Sequence, residues 1–165
     1  MAAFLLYNRR MNARFAGVKA MYVYSQSLRD ELLADISDAD LEFSTGGNNL
    51  TLLELFRGLG EIQGAYTRAF REFRLRFDLS APHNLETAAD LTNRFSSLDT
   101  EMLAALEGLS DVDFEKTVPQ GSRNIPVGTL FFTFREAILI VCAKVNVYFM
   151  AMNKPVPAQN RDWIG

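Results

Sequence analysis

The chain has 165 residues, 20 acidic and 17 basic, a net charge of -3, 48% hydrophobic residues, one cysteine and one histidine. A chain of this size buries on the order of 70% of its unfolded surface, so a single domain spanning residues 1–165 is expected to hold its own core without a disulfide or structural metal. One histidine and one cysteine exclude an HExxH site, a three-histidine site and a CxxC pair, and the near-neutral charge argues against non-specific nucleic-acid binding.

The first segment, Phe4 to Ile36, has helical spacing, and its opening apolar stretch Ala2 to Tyr7 runs into Asn8-Arg9-Arg10 with no basic residue before it. That is not the layout of a secretory signal, so a cytoplasmic protein is expected. Ser37-Asp38-Ala39-Asp40-Leu41-Glu42 closes this segment, and Ser44 to Asn49 forms a glycine- and asparagine-rich break after it.

The second helix is expected from about Thr51, where Thr51 and Glu54 make a capping box. Leu52, Leu55, Leu59, Ile62, Tyr66, Ala69, Phe73 and Phe77 recur at spacings of three and four, with arginines between them. Gly58, Gly60 and Gly64 interrupt it, each costing about 1 kcal/mol against alanine. Close approach of a neighbouring helix accounts for them structurally; the functional alternative is a pocket beside Gly58. Arg71, Arg74 and Arg76 are interrupted by Glu72 and Asp78, so no nucleic-acid surface is expected.

A break at Ser80 to Asn84 contains His83, read as an exposed turn residue. The third helix is expected over Asn84 to Glu107, with Leu91, Phe95, Leu98, Met102 and Leu106 as its stripe. Ser110-Asp111-Val112-Asp113-Phe114-Glu115 then repeats the Ser37 to Glu42 pattern, and Asn124-Ile125 repeats Asn49-Leu50, so two related helix-loop-helix halves are expected. Each half carries a loop of roughly 10 to 15 residues, long enough to cross the end of a bundle.

The fourth helix is expected from Pro126, suited to a first turn, to Met152. Its longest apolar run, Ala137 to Ala143, falls well short of the ~20 residues of a membrane span. Leu130, Phe131, Phe134, Ile140, Val147 and Met150 point in all directions around it, which a monomer's surface helix cannot bury. The N-terminal helix, the tail with Trp163-Ile164 or a second subunit must cover part of it, and a homodimer is expected. Cys142 in this helix reads as a small buried hydrophobe. No segment shows strand alternation, so the expected fold is all-α, a four-helix bundle with long crossover loops between helices one and two and between helices three and four.

The opening Tyr7-Asn8-Arg9-Arg10-Met11-Asn12, the segment Leu41 to Leu55 with Gly46-Gly47 before a helix, Leu109-Ser110-Asp111 and the ending Tyr148 to Pro157 resemble the DinB/YfiT-like superfamily. The resemblance implies a bundle with two crossovers and, in active members, a divalent metal on three histidines, one on helix two and an HxxxH pair on helix four. Here Gly58 stands at the first position. Ala137 and Val141 stand at the other two, or Arg135 and Leu139 when Glu136 is the anchor. No ligand remains, so no metal and no cofactor are expected.

The function expected is that of a non-catalytic DinB-like protein holding a small apolar ligand in a cleft of Gly58, Glu61, Tyr66, Phe134 and Glu136, lined also by Tyr22 and Tyr24. The alternative is an enzyme of the metal-dependent hydrolase or thiol S-transferase type in which Glu61 and Glu136 replace the histidines as oxygen ligands or as acid and base. The bland reading of those two carboxylates is surface charge, with Arg135 as a local ion-pair partner.

Overall fold

The computed structural model describes residues 13–77 and 85–164; the opening to Asn12, Asp78 and His83 lie outside the described residues. Four long helices carry the fold: α1 (Ala13–Ala34), α3 (Leu52–Glu72), α4 (Ala88–Glu107) and α6 (Val127–Ala151), with α2 (Asp38–Leu41), α5 (Asp111–Glu115) and α7 (Ala158–Ile164) between and after them. The capping box at Thr51 forms as the sequence predicts: its Oγ1 accepts from the Glu54 N–H (3.2 Å) and its N–H donates to Glu54 Oε2 (2.7 Å). Thr87 and Asp90 start α4 in the same way.

The second helix ends earlier than its stripe predicts. Phe73 adopts a left-handed conformation (φ 56°), and its N–H closes the last turn on the Ala69 carbonyl. Phe77 still meets Tyr66, ring centroids 6.4 Å apart, because the chain folds back along α3 instead of continuing it.

α1 and α3 each pack against both α4 and α6, which places α1 opposite α3, and α4 opposite α6, across the bundle's diagonals. The connections α1 to α3 and α4 to α6 therefore cross the bundle ends, as their length predicts. Pairings along the helices fix their directions. Phe15 meets Phe131 and Lys154 donates to the Asp35 carbonyl, so α1 and α6 run together. Phe56 meets Phe95 and Thr67 meets Met102, so α3 and α4 also run together. Two parallel neighbours force the α3-to-α4 connection to return along the bundle, and Arg57 Nε holds it there by donating to the Leu85 carbonyl (2.8 Å). This third long connection is not marked by any composition signal beyond the break at residues 80–84.

The repeat is structural, with one change in its boundaries. Ser37 to Glu42 is not the end of the first helix but a separate short helix, α2, matched by α5. In both, the serine N–H donates to the aspartate three residues on, Ser37 to Asp40 (2.8 Å) and Ser110 to Asp113 (2.9 Å). Leu41 and Phe114 bury the equivalent apolar position. Each loop is then closed by one backbone bond, Leu52 N–H to the Phe43 carbonyl and Val127 N–H to the Lys116 carbonyl.

Between those anchors the second half departs from the all-helical expectation. β1 (Thr117–Gln120) and β2 (Arg123–Pro126) pair antiparallel, turning through Gly121 at φ 60°. Pro119 and Pro126 mask the strand signal in the sequence. Each lies within a two-strand ribbon, where it need not donate to a further neighbour. Pro126 accordingly caps α6 instead of opening its first turn.

Thirty-odd apolar side chains fill the interior, among them Tyr22, Phe56, Phe95, Phe131, Phe134 and Phe149, each contributing about 1.5–3 kcal/mol by burial. α7 closes the α1/α6 groove: Asn160 Nδ2 donates to the Leu28 carbonyl (2.8 Å), and Trp163 packs edge-on against Tyr24 (5.3 Å). Lys154 ties the end of α6 to α2 through Asp40, and that partner, with Ser37, holds the Asp40 carboxyl down at about 2. Among the described residues no helix is long and apolar enough to cross a membrane.

Candidate functional site

The two faces that carry the expected cleft are the adjoining sides of α3 and α6. These helices run antiparallel, pinned at one end by the Tyr148 hydroxyl donating to the Leu50 carbonyl (2.5 Å) and further along by Tyr66 packed on Phe134, centroids 5.5 Å apart. Counting inward from the Tyr148–Leu50 pin puts Gly58 level with Ile140, and from the Tyr66–Phe134 pin level with Cys142, so Val141 is the α6 residue midway between the two counts. The positions identified separately on the two helices therefore come to one height in the bundle.

At that height α3 has no side chain. A Cβ added to Gly58 meets nothing within 4 Å, whereas Cβ atoms on Gly60 and Gly64 would touch Leu98 of α4 at 3.7 and 3.9 Å. The three glycines thus have different surroundings. Gly60 and Gly64 lie against a neighbouring helix, at ordinary contact distance for an alanine, and Gly58 faces open space. Along α6, Val141, 9% exposed, lies at this level, and Ala137, half-buried, one turn before it. The Tyr66–Phe134 ring pair lies about 12 Å from Gly58 along α3 at 1.5 Å per residue.

The two carboxylates stand apart from this apolar surface in character. Glu61 is half-buried one turn after Gly58, and Glu136 is exposed on the outer side of α6. Burial, and secondarily the charge of Glu136, push the Tyr66 hydroxyl above the ordinary tyrosine range, so it stays protonated. Arg135 is not an ion-pair partner for Glu136. Its Nε donates to Ser25 (3.1 Å) and its guanidinium lies 5.8 Å from the centre of the Trp163 ring.

The remaining sequence candidates separate by depth. Tyr22 is fully buried, packed on Phe131 and Phe134 at 6.0 and 6.2 Å, with a hydroxyl that has no hydrogen-bond partner among the described residues. Tyr24 is not in the cleft; it lies on the surface against Trp163. Cys142 is buried as expected, and burial pushes its thiol up to about 12, so it is not a nucleophile.

A buried polar cluster joins α1, α3 and α4 and was not among the residues expected from the sequence. Arg29 of α1 has no exposed surface, and its guanidinium donates to Asp99 of α4 (2.6 and 3.1 Å), to Gln63 of α3 (3.3 Å) and to Asp30 (2.6 and 2.9 Å). Gln63 donates in turn to Asp99 (2.7 Å), and the guanidinium stacks 4.2 Å from the Phe95 ring centre. Burial works against the charge, and the two carboxylates outweigh it, so Arg29 is held more firmly protonated than a free arginine. The signal was present in the sequence: Gln63 sits within the apolar stripe of α3, and Arg29 is followed by Leu32 and Leu33 on α1.

A divalent metal does not fit the residues at the positions that the resemblance assigns to its ligands. Gly58, Ala137 and Val141 offer no donor atom, Arg135 and Leu139 offer none that binds a cation, and among the described residues no three of His, Cys, Asp or Glu stand close enough to hold an ion.

Comparison with known proteins agrees with this architecture. The model of the DinB superfamily matches residues 21–143. The chain is similar to a DinB-like protein of Bacillus cereus ATCC 10987, with a TM-score of 0.74 and 14% identity over 87% of this chain and 95% of that one. It is also similar to a DinB-like protein of Bacillus subtilis, with a TM-score of 0.72 and 13% identity over 86% of this chain and 94% of that one. At such identities the likeness shows the shared fold. Among curated proteins none matches significantly.

Proposed function

The chain belongs to the DinB superfamily, and from that premise we propose that it is a non-catalytic, small-ligand-binding member, in which the position of the family's metal has become an apolar notch. One observation carries the reading. Gly58 leaves open space where a helix-two ligand would project, and the α6 residues nearest its height, Ile140, Val141 and Cys142, are apolar. A concave apolar surface with few polar groups takes up a small apolar or aromatic molecule by burial, at about 25 cal/mol per Å² removed from water. Tyr66, protonated, supplies a single hydroxyl that can orient such a ligand.

The test is a Gly58→Leu variant assayed with toluene as the probe. Leucine improves helix propensity by most of the ~1 kcal/mol that glycine costs, and open space around the Cβ accepts it, so the variant's unfolding midpoint is expected to match or exceed that of the native chain. Saturating toluene is expected to raise the midpoint of the native chain, as any ligand of the folded state does, and to leave Gly58→Leu unmoved. A variant that folds normally and is stabilised by toluene as much as the native chain would overturn the proposal.

A further inference from the structure

We propose that the outer face of α6 is the docking surface for a second copy of this chain, the two α6 helices lying antiparallel across a two-fold axis at Ile140. The proposal stands on observations separate from the ligand notch. α1 and α7 cover one flank of α6 and α3 another, yet a stripe stays open: Phe132, Ile140, Val147 and Met150 are 45%, 56%, 51% and 57% exposed. Ile140 and Val147 are seven residues apart, with Ala143 between them and Met150 seven beyond Ala143, which is the spacing of an interhelical seam. Such a stripe is unusual on a monomer's surface helix.

Charge decides the occupant and its direction. Glu136 and Lys144 flank Ile140 by one turn on either side; both are exposed, and neither has an ion-pair or hydrogen-bond partner among the described residues. Eight residues put them about 12 Å apart along one helix, beyond the reach of an intrahelical pair. A two-fold axis through Ile140 exchanges residues equally distant from it, so Glu136 of each copy meets Lys144 of the other, twice. A parallel arrangement would set Glu136 against Glu136 and Lys144 against Lys144. The stripe is therefore self-complementary in the antiparallel sense alone, the condition for an isologous interface.

The experiment is sedimentation equilibrium on the full chain and four variants: Ile140→Glu, Glu136→Lys, Lys144→Glu, and the double reversal Glu136→Lys with Lys144→Glu. All substitutions are on exposed positions, and circular dichroism checks that each variant keeps its helix content. The native chain is expected to dimerise in the micromolar range. Ile140→Glu, which buries two like charges at the axis, is expected to weaken the dimer about 100-fold or more. Each single reversal is expected to weaken it about 10-fold by replacing two attractions with two repulsions, and the double reversal to restore it to within a few-fold. A native chain that is monomeric at about 100 μM would overturn the proposal. So would a dimer indifferent to Ile140→Glu, which would use another surface, or a double reversal no tighter than the single ones, which would exclude the antiparallel register.

Discussion

Arg29→Met is expected to destabilise the folded chain by about 3–5 kcal/mol, the cost of leaving buried ionic partners uncompensated. The side chain has no exposed surface and joins Asp99 and Gln63, so one guanidinium links α1, α3 and α4. Removing it leaves Asp99, whose side chain is only 19% exposed, without its main counter-charge, and the Gln63 carbonyl without its donor. Methionine keeps most of the volume, so the loss is electrostatic rather than a cavity effect. Urea unfolding measures it. A second variant separates the two: adding Asp99→Leu to Arg29→Met removes the stranded carboxylate and is expected to recover part of the loss, although it changes a second residue. A loss below about 1 kcal/mol, the size of an exposed ion pair, would show that the cluster contributes little.

Phe134→Ala is expected to cost about 3–5 kcal/mol, the range for truncating a buried aromatic in a packed core. Phe134 is fully buried and its ring sits between Tyr22 of α1 and Tyr66 of α3. Its loss therefore removes contacts to both helices. Phe132→Ala, two residues earlier and 45% exposed, serves as the control and is expected to stay within about 0.5 kcal/mol in the monomer. Denaturant titrations of the two at equal low concentration give the comparison. Equal losses would mean that the inner and outer faces of α6 are wrongly assigned.

Much of the architecture was legible because it is written at short range. The stripe Leu52 to Ala69 and the capping box at Thr51 define α3 from within one helix. The repeated Ser-Asp-x-Asp segments mark α2 and α5, and only their separation from the long helices needed the structure. What was not legible depends on the partner across the bundle. Nothing in α3 or α4 alone states that they run parallel, and the placement of Phe77 beside Tyr66 and of Leu85 beside Arg57 follows only from that. The hairpin at Gly121 is short and carries proline in both strands, so it has no alternating pattern to find. α7 is seven residues long and is held mainly from outside itself, by Leu28, Glu31 and Tyr24.

The site shows the same division. Of the residues expected in the cleft, Tyr66 on α3 and Phe134 on α6 are brought together by the antiparallel pairing of the two helices, whereas Glu136 lies on the outer side of α6. Tyr24 was misplaced because an aromatic at helical spacing does not reveal which side of α1 faces the bundle. Arg29 and Asp99 were missed for a related reason: a charge on an apolar face reads as noise until its partner on another helix is known. Their contact spans seventy residues of sequence.

An apolar molecule is proposed to bind in the space beside Gly58. Methyl-resolved NMR titration of the native chain with toluene tests it most directly, since it reports where the probe lies and not merely that it binds. The predicted result is saturable shifts concentrated at the Ile62 and Val141 methyls and abolished by Gly58→Leu. Shifts concentrated instead at Ile140 and Val147 on the outer face of α6, or shifts at Val141 that persist in Gly58→Leu, would contradict it.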